Sequence, residues 1–216
     1  MNLPEEYNII VAGVGGQGVL FLSEILGEAA LREGLDARIA EIHGMAQRGG
    51  SVTCHVRIGE VHSPTVMEGS ADLIIGFEQL EVLRTLKYAN RETLVLLSKT
   101  TIVPPSSYLL GKGYPADDAI LKEVSRASEN VMVIDAMKIA ETTGNLATQN
   151  SAILGFISAL KRIPVKPETL KKAIADRSPS KYLDANLQAF ELGREEYKRT
   201  SDDQFSCISD DHCPAV

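Results

Sequence analysis

The spacing of apolar and polar residues predicts a chain that alternates between strands and helices as far as Asp135. Asn8–Gly34 joins a short apolar run to a glycine-rich turn and then to a helical pattern with one apolar face. Gly59 and Glu60 predict a hairpin turn that leads into Val61–Ser63. Further strands are predicted from short apolar or alternating runs, which are Ala37–Ile42, Val52–Ile58, Leu73–Phe77, Leu94–Leu97 and Val131–Ile134. This order predicts an α/β fold with a Rossmann-like, mostly parallel sheet flanked by helices.

The second half of the chain is predicted to become entirely helical. Helices are expected at Glu78–Tyr88 and Asp117–Ala127, and then in a C-terminal helical segment made of Ala136–Thr142, Ser151–Leu160, Glu168–Ala175 and Leu183–Tyr197. We therefore predict a single domain over residues 1–199, with its helical part from about residue 136. Residues 200–216, rich in aspartate, are predicted to form a disordered acidic tail.

Composition and charge exclude several classes of protein. The chain has 22 Lys and Arg residues against 29 Asp and Glu residues, and this net charge of −7 argues against a general affinity for nucleic acid or anionic membranes. No apolar run approaches the roughly 20 residues that span a bilayer, and the first residues are polar and acidic. We expect a cytoplasmic protein. Its 3 cysteines form no CxxC pair, so we predict no zinc or iron–sulfur site in this chain.

The glycine-rich turn after the first strand is the main candidate ligand site. Gly13, Gly15 and Gly18 match G-x-G-x-x-G, and Gly16 adds a further glycine, so the backbone can turn tightly and approach a ligand. The N–H groups that open the next helix, beginning near Gln17, favour a phosphate or a carboxylate. The alternative is that the glycines only allow the strand and helix to pack closely, with nothing bound.

A second glycine-rich loop, His43–Ser51, is a further candidate. Arg48 could reach a phosphate or carboxylate through a bidentate contact, although an interface ion pair explains it equally well. We predict no catalytic residue and no metal ligand in this chain. The predicted anion-binding or ligand-binding residues are Gly13, Gly15, Gly16, Gln17, Gly18, Gln47, Arg48, Gly49 and Gly50.

Other polar residues have two interpretations each. Asp36 and Glu41 both lie about where a dinucleotide-binding domain holds a ribose hydroxyl, and either can equally be a solvated acid at a strand end. Glu78 follows a predicted strand, where it would either face a ligand or cap the next helix. His55 lies on the polar face of its strand, which predicts a surface or interface residue. Cys54 lies on the apolar face, which predicts a buried, unreactive thiol.

Four segments together resemble the gamma subunit, or gamma domain, of 2-oxoacid:ferredoxin oxidoreductases. They are GVGGQG at Gly13–Gly18, GMAQRGGSVTCHVRIG at Gly44–Gly59, ADLIIGFEQLEVLR at Ala71–Arg84 and TQNSAILGFISAL at Thr148–Leu160. The resemblance extends to about Arg199. The second segment is most similar to the small (beta) subunits of indolepyruvate ferredoxin oxidoreductases.

The resemblance implies an accessory subunit of a complex that oxidatively decarboxylates a 2-oxoacid, such as indolepyruvate or pyruvate, to an acyl-coenzyme A and passes electrons to ferredoxin. A large, alpha-type partner subunit would hold thiamine diphosphate, magnesium and the iron–sulfur clusters, and this chain would be inactive alone. The glycine-rich turn would face either the bound coenzyme A or the subunit junction, with Gln47 and Arg48 near the mouth of the active site. The alternatives are a free-standing nucleotide-binding Rossmann protein, either an NAD-dependent dehydrogenase or an adenylating enzyme, and a non-enzymatic binding module.

Overall fold

The computed structural model describes residues 5–44, 49–103 and 113–209, with side chains described as far as residue 200. The strands of this part form one six-stranded sheet. In chain order they are β1 (Glu6–Val14), β2 (Ala37–His43), β3 (Ser51–Gly59), β4 (Leu73–Gly76), β5 (Leu94–Ser98) and β6 (Asn130–Ile134). Their order across the sheet is β2-β3-β1-β4-β5-β6, which places the glycine-rich turn at the end of a central strand.

Most strands of the sheet point in one direction. β1 pairs in parallel with β4, β4 with β5, and β5 with β6, whereas β3 lies antiparallel between β1 and β2. Only β3 therefore runs against the other strands, and the predicted mostly parallel α/β fold is confirmed. β4 and β5 are buried along their whole length, as expected for parallel strands covered on both faces.

Helices follow the strands and then form the C-terminal part alone. They are α1 (Val19–Arg32), α2 (Gln79–Thr85), α3 (Asp117–Ala127), α4 (Ala136–Thr142), α5 (Gln149–Ala159), α6 (Pro167–Arg177) and α7 (Leu183–Ser209). α7 begins where it was predicted but ends at Ser209 instead of Tyr197, so it enters the 200–216 segment, whose disorder stays a prediction. No helix within the described ranges combines the length and the apolar character that a membrane span requires.

The sheet separates two apolar cores. Because successive side chains of a strand point to opposite faces, Ile9 and Val11 of β1 pack with α1 and the C-terminal helices, whereas Ile10 packs with α2 and α3. The same alternation continues in β4 and β5. The fold therefore has three layers, with the sheet between two layers of helices. The carboxyl end of β1, where the glycine-rich turn begins, lies between the two helical layers.

The hairpin predicted at Gly59 and Glu60 does not form, since Val61–Ser63 is not a strand. β3 is already paired on both edges, with β1 and with β2, so no edge is available for a returning strand. The chain instead crosses the sheet face, and the backbone N–H of Val66 donates to Nδ1 of His55 at 3.0 Å.

This crossing buries His55, so its predicted surface or interface position is wrong. The imidazole is 0% exposed and stands edge-on to Tyr88, with 5.0 Å between the ring centroids. Its Nε2 atom has no hydrogen-bond partner among the described residues. Burial, with a smaller effect of Lys87, lowers the pKa of His55. On the other face, burial raises the pKa of the Cys54 thiol to about 11, which confirms the predicted core thiol.

Two glycines allow α5 and α7 to pack backbone against backbone. A Cβ atom on Gly155 would overlap the carbonyl oxygen of Phe190, and one on Gly193 would overlap the carbonyl oxygen of Ala152. This contact holds α5 close to α7. The first residue of α5, Gln149, contacts the glycine-rich turn.

Candidate functional site

The glycine-rich turn leaves the N-terminus of α1 open. Gly16 and Gly18 have φ values of 103° and 85°, a left-handed conformation that glycine adopts without strain. The first helical bond of α1 runs from the N–H of Leu22 to the carbonyl of Gly18, at 3.0 Å. No side chain caps this end, and the first turn contains no acidic residue. The uncapped N–H groups and the helix dipole can therefore attract an anion.

The side chain of Gln17 holds the turn in place. Its Oε1 atom accepts the N–H of Val14 at 2.8 Å, and its Nε2 atom donates to the carbonyl of Phe77 at 3.1 Å. Gln17 is only 7% exposed, so it ties the turn to the end of β4 from inside the protein. Its predicted contact with a ligand stays a prediction, and the geometry shows a positioning role.

Gly13 fits the close-packing alternative considered for this turn. A Cβ atom there would lie 2.8 Å from both Gln17 Oε1 and Val19 Cγ2, and 2.9 Å from Phe77 Cβ. A side chain at this position would push apart the strand and helix, whereas Gly16 has open space around it. Packing therefore explains Gly13, and access to a ligand remains an explanation for Gly16.

The structure brings the two glycine-rich segments together. The N–H of Gly15 donates to the carbonyl of Gly50 at 2.8 Å, and the N–H of Gly49 donates to the carbonyl of Gly15 at 3.2 Å. These bonds continue the pairing of β1 with β3 beyond Val14. Gln47 and Arg48, also predicted to bind a ligand, lie outside the described residues.

A cavity of about 400 Å³ opens beside the turn. Gly15, Gly16 and Gly18 line it together with Glu41 and His43, which lie on β2. Of the two acids considered from spacing, Glu41 thus lies at the site, whereas Asp36 precedes β2 at the opposite end of that strand. A carboxylate can accept hydrogen bonds from ligand hydroxyl groups while the helix N-terminus faces a phosphate.

Gln149 and Asn150, at the start of α5, are site residues that the periodicity did not identify. Nε2 of Gln149 donates to the carbonyl of Gln17 at 3.5 Å, and a Cβ atom on Gly18 would overlap the amide of Asn150. Both residues are at least nine-tenths buried, yet Oε1 of Gln149 and Oδ1 of Asn150 lack partners among the described residues. Neither residue lines the cavity beside the turn, so their amides act on the position of the turn itself. The signals in the sequence were two consecutive amides before an apolar helix and the place of both residues in the fourth segment of the family resemblance.

Glu78 is a helix cap. Its carboxylate accepts the N–H of Glu81 at 2.9 Å and the hydroxyl of Tyr114 at 2.5 Å, and it is 1% exposed. Burial and this carboxylate raise the pKa of Tyr114. Neighbouring Glu81 accepts the hydroxyl of Ser51 at 2.5 Å, which anchors the start of β3. Glu78 and Glu81 therefore fix the start of α2 and of β3, and neither lines the cavity beside the turn.

No group of three or more His, Cys, Asp or Glu side chains in the described ranges is arranged to hold a metal ion. The candidate site consists of a glycine turn, an uncapped helix N-terminus and the cavity that both of them line with β2. Together with the sheet order, it defines an α/β protein of Rossmann-like type with an uncapped helix N-terminus at its glycine turn.

Comparison with known proteins identifies the family. The family model described as pyruvate ferredoxin/flavodoxin oxidoreductase matches residues 8–196, and the chain belongs to this family. It is 42% identical over 186 residues to "Indolepyruvate oxidoreductase subunit IorB" of Archaeoglobus fulgidus, an alignment that covers 86% of this chain and 92% of that protein. The family resemblance noted from the sequence motifs is thereby confirmed.

Solved structures support the same fold. A keto/oxoacid ferredoxin oxidoreductase gamma subunit from Geobacter sulfurreducens matches with a TM-score of 0.65 and 23% identity, over 89% of this chain and 99% of that chain. A 2-oxoglutarate:ferredoxin oxidoreductase from Magnetococcus marinus, solved with 2-oxoglutarate, coenzyme A and succinyl-CoA bound, matches with a TM-score of 0.69 and 19% identity. This chain aligns over 91% of its length with 32% of that larger chain. At these identities the likeness concerns the fold alone.

Proposed function

We propose that this protein is the small, gamma-type subunit of a 2-oxoacid:ferredoxin oxidoreductase that acts on indolepyruvate or a related aryl 2-oxoacid. The observation that carries the proposal is the 42% identity to an indolepyruvate oxidoreductase subunit along nearly the whole of both chains. A dehydrogenase or an adenylating enzyme would belong to another family, so the family match favours the subunit over both alternatives.

The chemistry of oxidative decarboxylation is assigned to a larger partner subunit. The described residues offer no cluster of metal-ligating side chains, and the 3 cysteines of the sequence are not spaced as cluster ligands. Thiamine diphosphate and the iron–sulfur clusters would therefore reside in the partner, which would pass electrons to ferredoxin, and this subunit alone would be inactive. A cytoplasmic location stays part of the proposal.

Coenzyme A is the proposed ligand of the glycine-rich turn. Its phosphates would lie at the open N-terminus of α1, since that end has neither a cap nor an acidic residue. Its hydroxyl groups match one acceptor that lines the cavity, the carboxylate of Glu41. The turn would thus hold the acyl acceptor while the partner generates the acyl group.

Co-purification tests the subunit assignment. The tagged chain, isolated from its native host, is expected to bring with it a large iron-containing subunit and to support indolepyruvate-dependent reduction of a dye. Testing pyruvate, 2-oxoglutarate and branched-chain 2-oxoacids on the same preparation defines the substrate. A chain that purifies without iron and without 2-oxoacid-dependent activity would contradict the assignment.

Two matched glycine variants test the coenzyme A site. Gly16 and Gly34 have φ values of 103° and 78°, and a Cβ atom added to either would meet no other atom within 4 Å, but only Gly16 lines the cavity beside the turn. Gly16→Ala and Gly34→Ala should each lose about 1 kcal/mol of stability through the positive φ. Only Gly16→Ala should raise KM for coenzyme A in the assembled complex. Equal KM values for coenzyme A in the two variants would contradict the proposal that coenzyme A binds at the turn.

A further inference from the structure

A second cavity lies at the opposite end of α5 from the glycine-rich turn. α5 is about 16 Å long, with Gln149 beside the turn, whereas Ser158 and Ala159 line this cavity. The volume is about 620 Å³, which is typical of small-molecule sites. Its apolar wall includes Ile163 and Val165, which are buried, so an apolar group placed there would be shielded from water.

The polar wall of this second cavity is mainly cationic. The cations that line it are Lys161, Lys166, Arg194 and Lys198, and among the described residues Glu33 is the single lining acid. The Glu33 carboxylate is already satisfied, since it accepts the N–H of Lys166 at 2.7 Å and lies 3.6 Å from the ammonium group of the same residue. The cavity therefore has an excess of positive charge and is suited to an anion.

Arg194 contributes an unused hydrogen-bond donor. Its Nε atom is buried and has no partner among the described residues, while its NH1 atom lies 3.3 Å from Glu191. A buried guanidinium N–H without an acceptor is unfavourable, and a carboxylate would satisfy it. Lys198 lies one helical turn further along α7, so the two cationic groups share one face of the helix.

Lys161 is held in an unfavourable conformation at the rim of this cavity. Its φ of 53° is the only positive value of a non-glycine residue in the described part of the chain. The residue follows the end of α5, a position at which glycine is preferred because it has no Cβ. Lysine is therefore costly for the fold here, but it brings an ammonium group to the cavity.

From these observations we propose that the second cavity binds a small amphipathic organic acid. The carboxylate accepts from Nε of Arg194 and is neutralised by Lys198 and Lys161. The apolar body packs against Ile163 and Val165. This site is separate from the glycine-rich turn, since the two cavities share no lining residue.

Octanoate and octylamine are matched probes, since they have the same alkyl chain and opposite charges. We expect ligand-observed NMR to show that the full chain binds octanoate and not octylamine. Arg194→Gln and Lys198→Gln should each weaken octanoate binding roughly tenfold, as expected for the loss of a charge-assisted contact. Lys172→Gln is the control, because Lys172 is exposed on α6 and does not line the cavity. Lys198 is exposed as well, so Lys198→Gln provides the test even if Arg194→Gln is unstable.

A glycine at position 161 separates binding from folding. Lys161→Gly removes the unfavourable φ together with the ammonium group, so it should raise the melting temperature and weaken octanoate binding several-fold. A merely structural lysine would give the stabilisation without the loss of binding. Equal binding of octanoate and octylamine, no octanoate binding at millimolar concentrations, or unchanged binding in both Arg194→Gln and Lys198→Gln would overturn the proposal.

Discussion

The most direct test of the packing that positions the site is Gly155→Ala. In most exposed helices this substitution stabilises, because alanine has the higher helix propensity by about 1 kcal/mol. At position 155 the new Cβ would overlap the carbonyl oxygen of Phe190, which belongs to the backbone of α7. α5 and α7 would have to separate by about 1.5 Å to restore an ordinary contact of 3.4 Å.

The expected magnitude follows from the two opposing effects. Overpacking a core costs typically 1–3 kcal/mol, and a rigid backbone atom on the opposite side places Gly155→Ala at or beyond the upper end of that range. After subtraction of the gain in propensity, we expect a net loss of about 2 kcal/mol or more. For a chain of this size that corresponds to a fall in melting temperature of roughly 4–8 °C.

Gly27→Ala provides the matched control. Gly27 lies within α1, and a Cβ atom there would lie 2.8 Å from Cδ1 of Ile39, the movable end of a side chain. Its other neighbours, Cγ1 of Ile39 at 3.4 Å and Cβ of Ala37 at 3.9 Å, are at ordinary contact distances. Its stability should remain within about 1 kcal/mol of the wild type, because propensity and adjustment of Ile39 nearly cancel. Thermal and urea unfolding followed by circular dichroism measure both variants. If Gly155→Ala proves as stable as Gly27→Ala, the close packing of α5 on α7 is refuted.

Three further predictions concern single side chains. Because burial lowers the pKa of His55, the unfolded chain binds more protons than the folded one below about pH 6.5, so stability should fall as the pH drops from about 7 to 5. Urea unfolding at several pH values should show that the free energy of unfolding of His55→Gln changes less with pH than that of the wild type. Gly18→Ala should be less stable than Gly16→Ala by about 1 kcal/mol or more in thermal unfolding, because a Cβ atom at position 18 overlaps Asn150 and one at position 16 meets no other atom. Tyr114→Phe removes a hydrogen bond to the carboxylate that caps α2 and should cost about 1–3 kcal/mol, measured by urea unfolding.

Local sequence determined most of the elements. Short apolar runs in β4 and β5 can be buried on both faces only in a covered parallel sheet, and the runs predicted those strands almost to the residue. The G-x-G-x-x-G spacing predicted the turn before α1, because glycines at Gly16 and Gly18 permit the left-handed conformations that the structure shows.

Local patterns of apolar and polar residues did not predict the order of the strands in the sheet. The alternation in β3 identified a half-polar strand, but nothing in it indicated insertion between β1 and β2. That insertion occupies both edges of β3, which prevents the predicted hairpin and sends the chain across His55. A polar residue on an apparently exposed face was therefore buried by a segment whose path is set by pairing elsewhere.

The sequence by itself determined which family the chain resembles, where the glycine turn lies and which helix follows it, since these depend on residues close together in the chain. Only the tertiary structure decided that Gly49 and Gly50 pair with Gly15, that Asn150 packs against Gly18, and that distant cations surround a second cavity. Those contacts join residues far apart in sequence. The first depends on the pairing of β1 with β3 and the other two on the packing of α5 against α7, which no local pattern of apolar and polar residues records.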